Sequence, residues 1–146
     1  MTVILGGLLA LAQDINGFDD ENVTYCDWAP LDSGQDRALI FEYMSLAQEY
    51  NAFKGELWCD WTFKAHLYTA YDSDIRNAKL NQDDDREAVM AKFRNYPQLR
   101  ATPGVFHAFV NSSETIQQPI RIGEHSFLQE DMTLVVREDV SGTELE

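Results

Sequence analysis

A chain of 146 residues with 45% hydrophobic and 25% charged residues is long enough for one domain with a substantial core, and too apolar to be disordered. Its 11 basic and 25 acidic residues give a formal net charge of -14, which argues against sequence-specific nucleic-acid reading, because phosphate contacts need Lys and Arg. Two cysteines, Cys26 and Cys59, exclude a disulfide scaffold; both read as buried free thiols, with a bridge between them left open.

Thr2 to Ile15 reads as a short helix, with Leu5, Leu8, Leu9, Ala12 and Ile15 on one side. Gly6 and Gly7 weaken it and suggest a close backbone approach. The apolar stretch Val3 to Ala12 has no Lys or Arg before it and is too short to span a bilayer, so neither a signal segment nor a membrane partner is expected. Val23 to Trp28 is a first strand, stopped by Ala29-Pro30, and Asp32 to Asp36 is a turn. Ala38 to Ala47 is a second strand, although Leu39, Tyr43, Leu46 and Tyr50 also satisfy a helical spacing. Lys54-Gly55 is a turn.

Leu57 to Tyr71 dominates the chain. Leu57, Cys59, Trp61, Phe63, Ala65 and Leu67 alternate with Trp58, Asp60, Thr62, Lys64, His66 and Tyr68. That period of two, in residues that favour strands, predicts a long central strand with one apolar and one mixed face. Its length predicts a bulge or bend near Ala65 or Thr69. Asp72 to Asp85 reads as an acidic hinge, and Asp84 with Glu87 as a capping box that opens a helix from Asp85 to Tyr96. Lys92 and Arg94 suit its C-terminal end and Pro97 stops it. Val105 to Val110 is a strand, Asn111 to Gln118 a polar loop, and Pro119 to Gly123 and Met132 to Arg137 the last strands, with Phe127 and Leu128 tucked onto the core. An acidic tail begins at about residue 140.

The order predicts a single α+β domain over residues 1–146: one antiparallel or mixed sheet with two helices packed on one face. The expected core is Leu9, Trp61, Phe63, Leu67, Val89, Phe93, Tyr96, Val105, Phe109 and Leu134.

Motifs that carry chemistry are missing. His66, His107 and His125 each stand alone, without metal-ligand spacing. Asp72, Asp74 and Asn77 lack the glycine and closing glutamate of a calcium loop. There is no nucleophile elbow, phosphate loop or dinucleotide fingerprint. No enzymatic activity, metal or cofactor is therefore expected. The outer face of the long strand is more informative, since Trp58, Thr62 and Tyr68 with Lys64 and Asp60 have the composition of a protein interface, unless a helix or loop covers them.

A long aromatic strand, Trp61-Thr62-Phe63-Lys64-Ala65-His66-Leu67-Tyr68, is followed by an acidic stretch with Ser73-Asp74. Then come a helix closing in Tyr96-Pro97-Gln98-Leu99, the strand Gly104 to Val110, and paired strands. With the short N-terminal helix, this order resembles the tail terminator and head–tail joining proteins of long-tailed bacteriophages, over roughly Leu5 to Val140. The likeness lies in element order rather than in motifs. It implies a homo-oligomeric ring, usually of six subunits, stacked on the last ring of tail tube. Such a ring stops tube polymerisation and joins tail to neck and head, in a virion assembled in the host cytoplasm. Its partners would be the tube protein and neck or connector proteins, with no catalytic residues to carry over. The same resemblance places Asp72, Asp74 and Ser112 in loops that contact the ring or tube. The acidic surface fits a channel through which DNA slides without sticking. Two alternatives stand beside it: a small acidic module that mimics nucleic acid for a basic protein partner, and an enzyme that uses carboxylates.

Overall fold

The computed structural model describes residues 2–51 and 54–140; the tail beyond residue 140 lies outside them. The elements run α1 (Thr2–Gln13), β1 (Val23–Tyr25), α2 (Ala29–Asp32), β2 (Arg37–Asn51), β3 (Glu56–Tyr71), α3 (Ile75–Asn95), β4 (Val105–Ile122) and β5 (His125–Asp139). The architecture is α+β, with one five-stranded sheet in the order β1-β2-β3-β5-β4. The sheet is mixed: β1 lies parallel to β2, and the other neighbours are antiparallel. There are three helices rather than two among the described residues. None of them is long and apolar enough to cross a membrane.

The central strand is β3, as its alternation predicts. It pairs with β2 along one side and with β5 along the other, so its polar backbone is satisfied on both edges. Phe63, Ala65 and Leu67 fall in register with Tyr43, Phe41 and Leu39 of β2 and with Leu134, Met132 and Glu130 of β5. The expected bulge lies in β2 instead, where the register shifts between Tyr43 and Ser45 and leaves Met44 unpaired; β3 itself runs unbroken.

The main core joins these strand residues to Ile4, Leu8, Leu11 and Ala12 of α1 and to Val89 and Phe93 of α3. Leu9 and Trp61 pack against it while only partly buried. Gly7 explains half of the glycine pair: a Cβ there would come within 2.5 Å of the Thr102 hydroxyl, whereas Gly6 faces open space. A smaller cluster forms apart from the first, from Leu31, Ala38, Ile40, Tyr68 and Phe127. Tyr96 and Phe109, expected in the core, are 40% exposed. Tyr96 sits at the end of α3 between the side chains of Lys92 and Arg100, and Phe109 lies opposite Val135 beside His107.

Three further expectations are corrected. The helix does not begin at Asp85. It begins at Ile75, where the Asp74 carboxylate accepts the Asn77 N–H at 3.0 Å, and Asp84 is an exposed residue within it. The buried positions Ala78, Gln82 and Asp85 continue the stripe of Val89 and Phe93 at spacings of three and four, but two of them are polar, which hid the first half of the helix. Asn111 to Gln118 is not a loop. It belongs to β4, a single strand with irregularities at Val105/His107, Val110/Ser112 and Ile116/Ile120, the last spanning Pro119. The first strand ends at Tyr25 rather than Trp28, because Cys26 turns to a φ of +50° and Pro30 enters α2. Cys26 is exposed and Cys59 buried, and both are free thiols.

Phe63→Ala should cost about 3–5 kcal/mol in urea unfolding, because Phe63 is wholly buried between three strands. Tyr50→Ala, near the exposed end of β2, should stay within about 0.5 kcal/mol. Equal losses at the two sites would contradict this division of the hairpin.

Candidate functional site

The sheet presents an aromatic surface around Trp58. Arg137 grips Asp60 across the β3–β5 ladder with two bonds of 2.8 Å, and its guanidinium carbon stands 5.8 Å from the Trp58 ring centroid. The bond from Arg137 holds the Asp60 carboxyl below its usual range, although burial opposes this. Phe106 of β4 meets Trp58 edge-on at 5.1 Å, and His107 stacks on Phe109 at 5.4 Å. Phe106 and Phe109 are exposed. Two clefts adjoin this row. One, of about 470 Å³, is lined by Tyr96, Gln98, Arg100, Phe106 and His107. The other, of about 350 Å³, is lined by Met90, Arg94, Pro97 and Ala108 to Val110. The Ala108 N–H donates to the Pro97 carbonyl, so the 97–104 turn closes the outer edge of β4 at that point. Leu99, Arg100 and Ala101 of that turn all have φ between +51° and +63°, a run of left-handed residues that bonds between Asp14 and the side chains of Lys92 and Arg100 help to fasten to the end of α1.

A second surface is the outer half of the β2–β3 hairpin. Beyond Glu42, the β2 side chains are exposed on both sides as far as Tyr50, including Tyr43, Met44 and Leu46. No strand pairs with this half of β2 on its outer side among the described residues, since β1 ends opposite Phe41.

The expected interface residues do not form one patch. Trp58 belongs to the aromatic row. Tyr68 is ten residues along the same strand, about 33 Å away at strand rise, and it is only 4% exposed. It lies under the Trp28 indole, which donates to its hydroxyl at 3.0 Å, so Tyr68 is a buried member of the smaller cluster and not a contact surface. Lys64 is half-buried opposite Glu42 and Thr133. Asp72 and Asp74 shape the start of α3: Asp72 accepts the Ser73 N–H, and the backbone N–H groups of Ser73 and Asp74 hold its carboxyl below the usual range. Ser112 is exposed on β4 opposite Thr133, within a strand and not a loop.

Two charged groups beneath the surface carry more structure than the sequence suggested. Glu130, 2% exposed, accepts bonds from Arg86 at 3.2 Å, Ser113 at 2.5 Å and Thr115 at 2.9 Å, and so ties α3 to β4 and β5. His66 places Nδ1 2.6 Å from Asp131 and Nε2 3.1 Å from Glu42. Both ring nitrogens are thus engaged by carboxylates on opposite sides, which leaves neither free for a substrate or a metal ion. Burial opposes its charge, but the bonds to Asp131 and then Glu42 prevail and raise the His66 pKa above its ordinary 6.5. No group of three or more His, Cys, Asp or Glu side chains among the described residues is arranged to hold a metal. Sequence could have pointed to Phe106 through the alternation of Val105 to Val110. Nothing in it links His66 to partners 24 and 65 positions away.

Asp85 is the converse of Glu130. Burial pushes its carboxyl above the usual range against the pull of Arg37, and one of its oxygens has no partner. The ionised form therefore works against the fold as pH rises from 3.8 through the raised value. Asp85→Asn should leave stability at neutral pH unchanged or improve it by up to about 1 kcal/mol, and the advantage should vanish in acid. Arg86→Ala should cost about 2–3 kcal/mol in urea unfolding, and less in a Glu130→Gln background; equal losses in both would show that the pair is not coupled. No family model matches the chain, and no curated protein matches it.

Proposed function

We propose that this chain is a structural virion protein of a long-tailed bacteriophage, forming a ring at the end of the tail tube that terminates tube polymerisation and joins tail to neck. The observation that carries this reading is the outer half of β2, whose side chains from Tyr43 to Tyr50, with Tyr43, Met44, Leu46 and Tyr50 among them, are exposed on both of its faces. A paired arm with apolar side chains on its surface gains little in an isolated domain and buries that surface when subunits assemble. The aromatic row of Trp58, Phe106 and Phe109 offers a second contact of the composition that interfaces favour. A placement of α1 and α3 together on the Phe63 face, which their common core cluster supports, would leave the hairpin ends for neighbouring subunits and the tube. The net charge of -14 suits a ring through which DNA passes without binding. The ring count of six comes from the resemblance in element order. The site chemistry suits assembly rather than catalysis, and the reading includes no cofactor.

A second reading has one observation of its own. Asp20, Glu21 and Asp27 edge a cleft of about 440 Å³ beside β1, an acidic concavity fit for a basic protein partner.

Light scattering on a sizing column, alone and after mixing with tail-tube protein, tests the assembly reading. A six-fold or similar ring, or one that appears on mixing, is expected. Trp58→Ala with Phe106→Ala should weaken self-association and leave the circular dichroism spectrum unchanged. A monomer that ignores tube protein and is captured by basic proteins would favour the acidic module.

A further inference from the structure

One side of the smaller apolar cluster is closed by a short cover. Leu31 and Trp28 of residues 27–36, whose only helix is the four-residue α2, pack on Ala38, Ile40, Tyr68 and Phe127, which Ala70, Ile120 and Ile122 flank from the sheet. Two left-handed positions bend this segment, Cys26 at φ +50° just before it and Gly34 at φ +84° near its end. Cys26 is a poor residue for that conformation, so the first hinge is strained. Between the hinges, Leu31 enters the cluster and the Trp28 indole N–H donates to the Tyr68 hydroxyl at 3.0 Å.

His66 stands beside both anchors, its ring 6.2 Å from that of Trp28 and 6.4 Å from that of Tyr68. It is 8% exposed. A neutral imidazole has one donor nitrogen and one acceptor, and an ionised carboxylate only accepts. Two carboxylates on opposite sides of the ring are both satisfied only by the imidazolium. That cation, held beside Trp28, also favours the indole face. The groups facing His66 are Glu42 from β2, Asp131 and Gln129 from β5, Tyr68 from its own strand and Trp28 from the cover. Lys64 on β3 and Glu114, opposite Asp131 on β4, are further charges along this face, and Asp27 and Asp32 are exposed on the cover.

We propose that Glu42, His66 and Asp131 form a proton-operated latch: His66 in its charged form keeps the 27–36 cover seated, and loss of the proton lets the cover lift from Ile40, Tyr68 and Phe127. Deprotonation leaves one ring donor for two carboxylates and removes the cation beside Trp28. The weakest-held segment nearby responds first, and a short cover with a strained residue just before it and a glycine hinge near its end is that segment. The sign follows from the raised His66 pKa: the latch is closed below 6.5 and opens as pH rises through the folded value. The Asp131 carboxyl, burdened by burial but held low by His66 and Gln129, stays ionised throughout that range.

Amide hydrogen exchange of the full chain between pH 5.5 and 9 tests this, with each rate divided by its intrinsic rate at that pH. The reporters are the Leu31, Ser33 and Gln35 amides, which donate to Trp28, Ala29 and Pro30 carbonyls. Their protection should fall by about tenfold or more across the His66 titration, while the Phe63 and Leu67 amides stay protected. His66→Gln should abolish the pH dependence. Should that variant fail to fold, Glu42→Gln, altering the more exposed partner, should move the midpoint to lower pH. Constant protection in the wild-type protein, an unchanged fall in His66→Gln, or an unmoved midpoint in Glu42→Gln would each overturn the latch.

Discussion

Everything in this domain is referred to β3, the one strand that is hydrogen-bonded on both sides over nearly its whole length. Once its backbone is paired to β2 and β5, its alternation decides which side chains meet which layer. Phe63, Ala65 and Leu67 are committed to the main core, which includes residues of α1 and α3, and Lys64, His66 and Tyr68 to the opposite side. A one-residue slip would bury Lys64 and expose Phe63, so the register resists movement. The Glu42–His66–Asp131 bridge adds a side-chain tie across the same three strands.

The acidic balance of the chain is managed by position. Most carboxylates are exposed, where water and salt screen their repulsion. The few that go inside have different fates. Glu130 is surrounded by donors from two elements; Asp85 has a single guanidinium and an oxygen with no partner. Such a chain can keep a large charge and a dry core together, because the interior ionic groups are few and mostly answered.

How far the sequence could be read follows from the same logic. β3 was legible because one of its faces is apolar at every second residue, and the second half of α3 because Val89 and Phe93 mark a stripe. The first half of α3 was hidden because its inward positions hold Gln82 and Asp85, polar residues that break the apolar stripe although both are buried. The middle of β4 was hidden for another reason: neither face between Asn111 and Thr115 is buried, so backbone pairing to β5 and the Ser113 and Thr115 bonds to Glu130 hold it as a strand without an apolar signal. Among candidate site residues, Trp58 is half-buried beside Phe106 and Arg137, whereas Tyr68 is roofed by Trp28, a residue forty positions earlier that no local pattern could connect to it. The ion pairs of His66, Glu130 and Asp60 are likewise products of register, legible only once the sheet is assembled.

The unpaired Met44 separates the β2–β3 hairpin into two mechanical parts. On the body side, Leu39, Phe41 and Phe63 are locked in place by the core. On the far side, the β2 side chains from Ser45 to Tyr50 are exposed, while their β3 partners from Trp58 to Thr62 stay paired to β5. Only the turn end of the arm, beyond Leu57, can therefore gain residue pairs without shifting Trp58 to Thr62 out of their pairing with β5. The reach of the arm is a quantity that selection can adjust by small insertions, in steps of about 3.4 Å per added pair, while the domain that carries it stays constant.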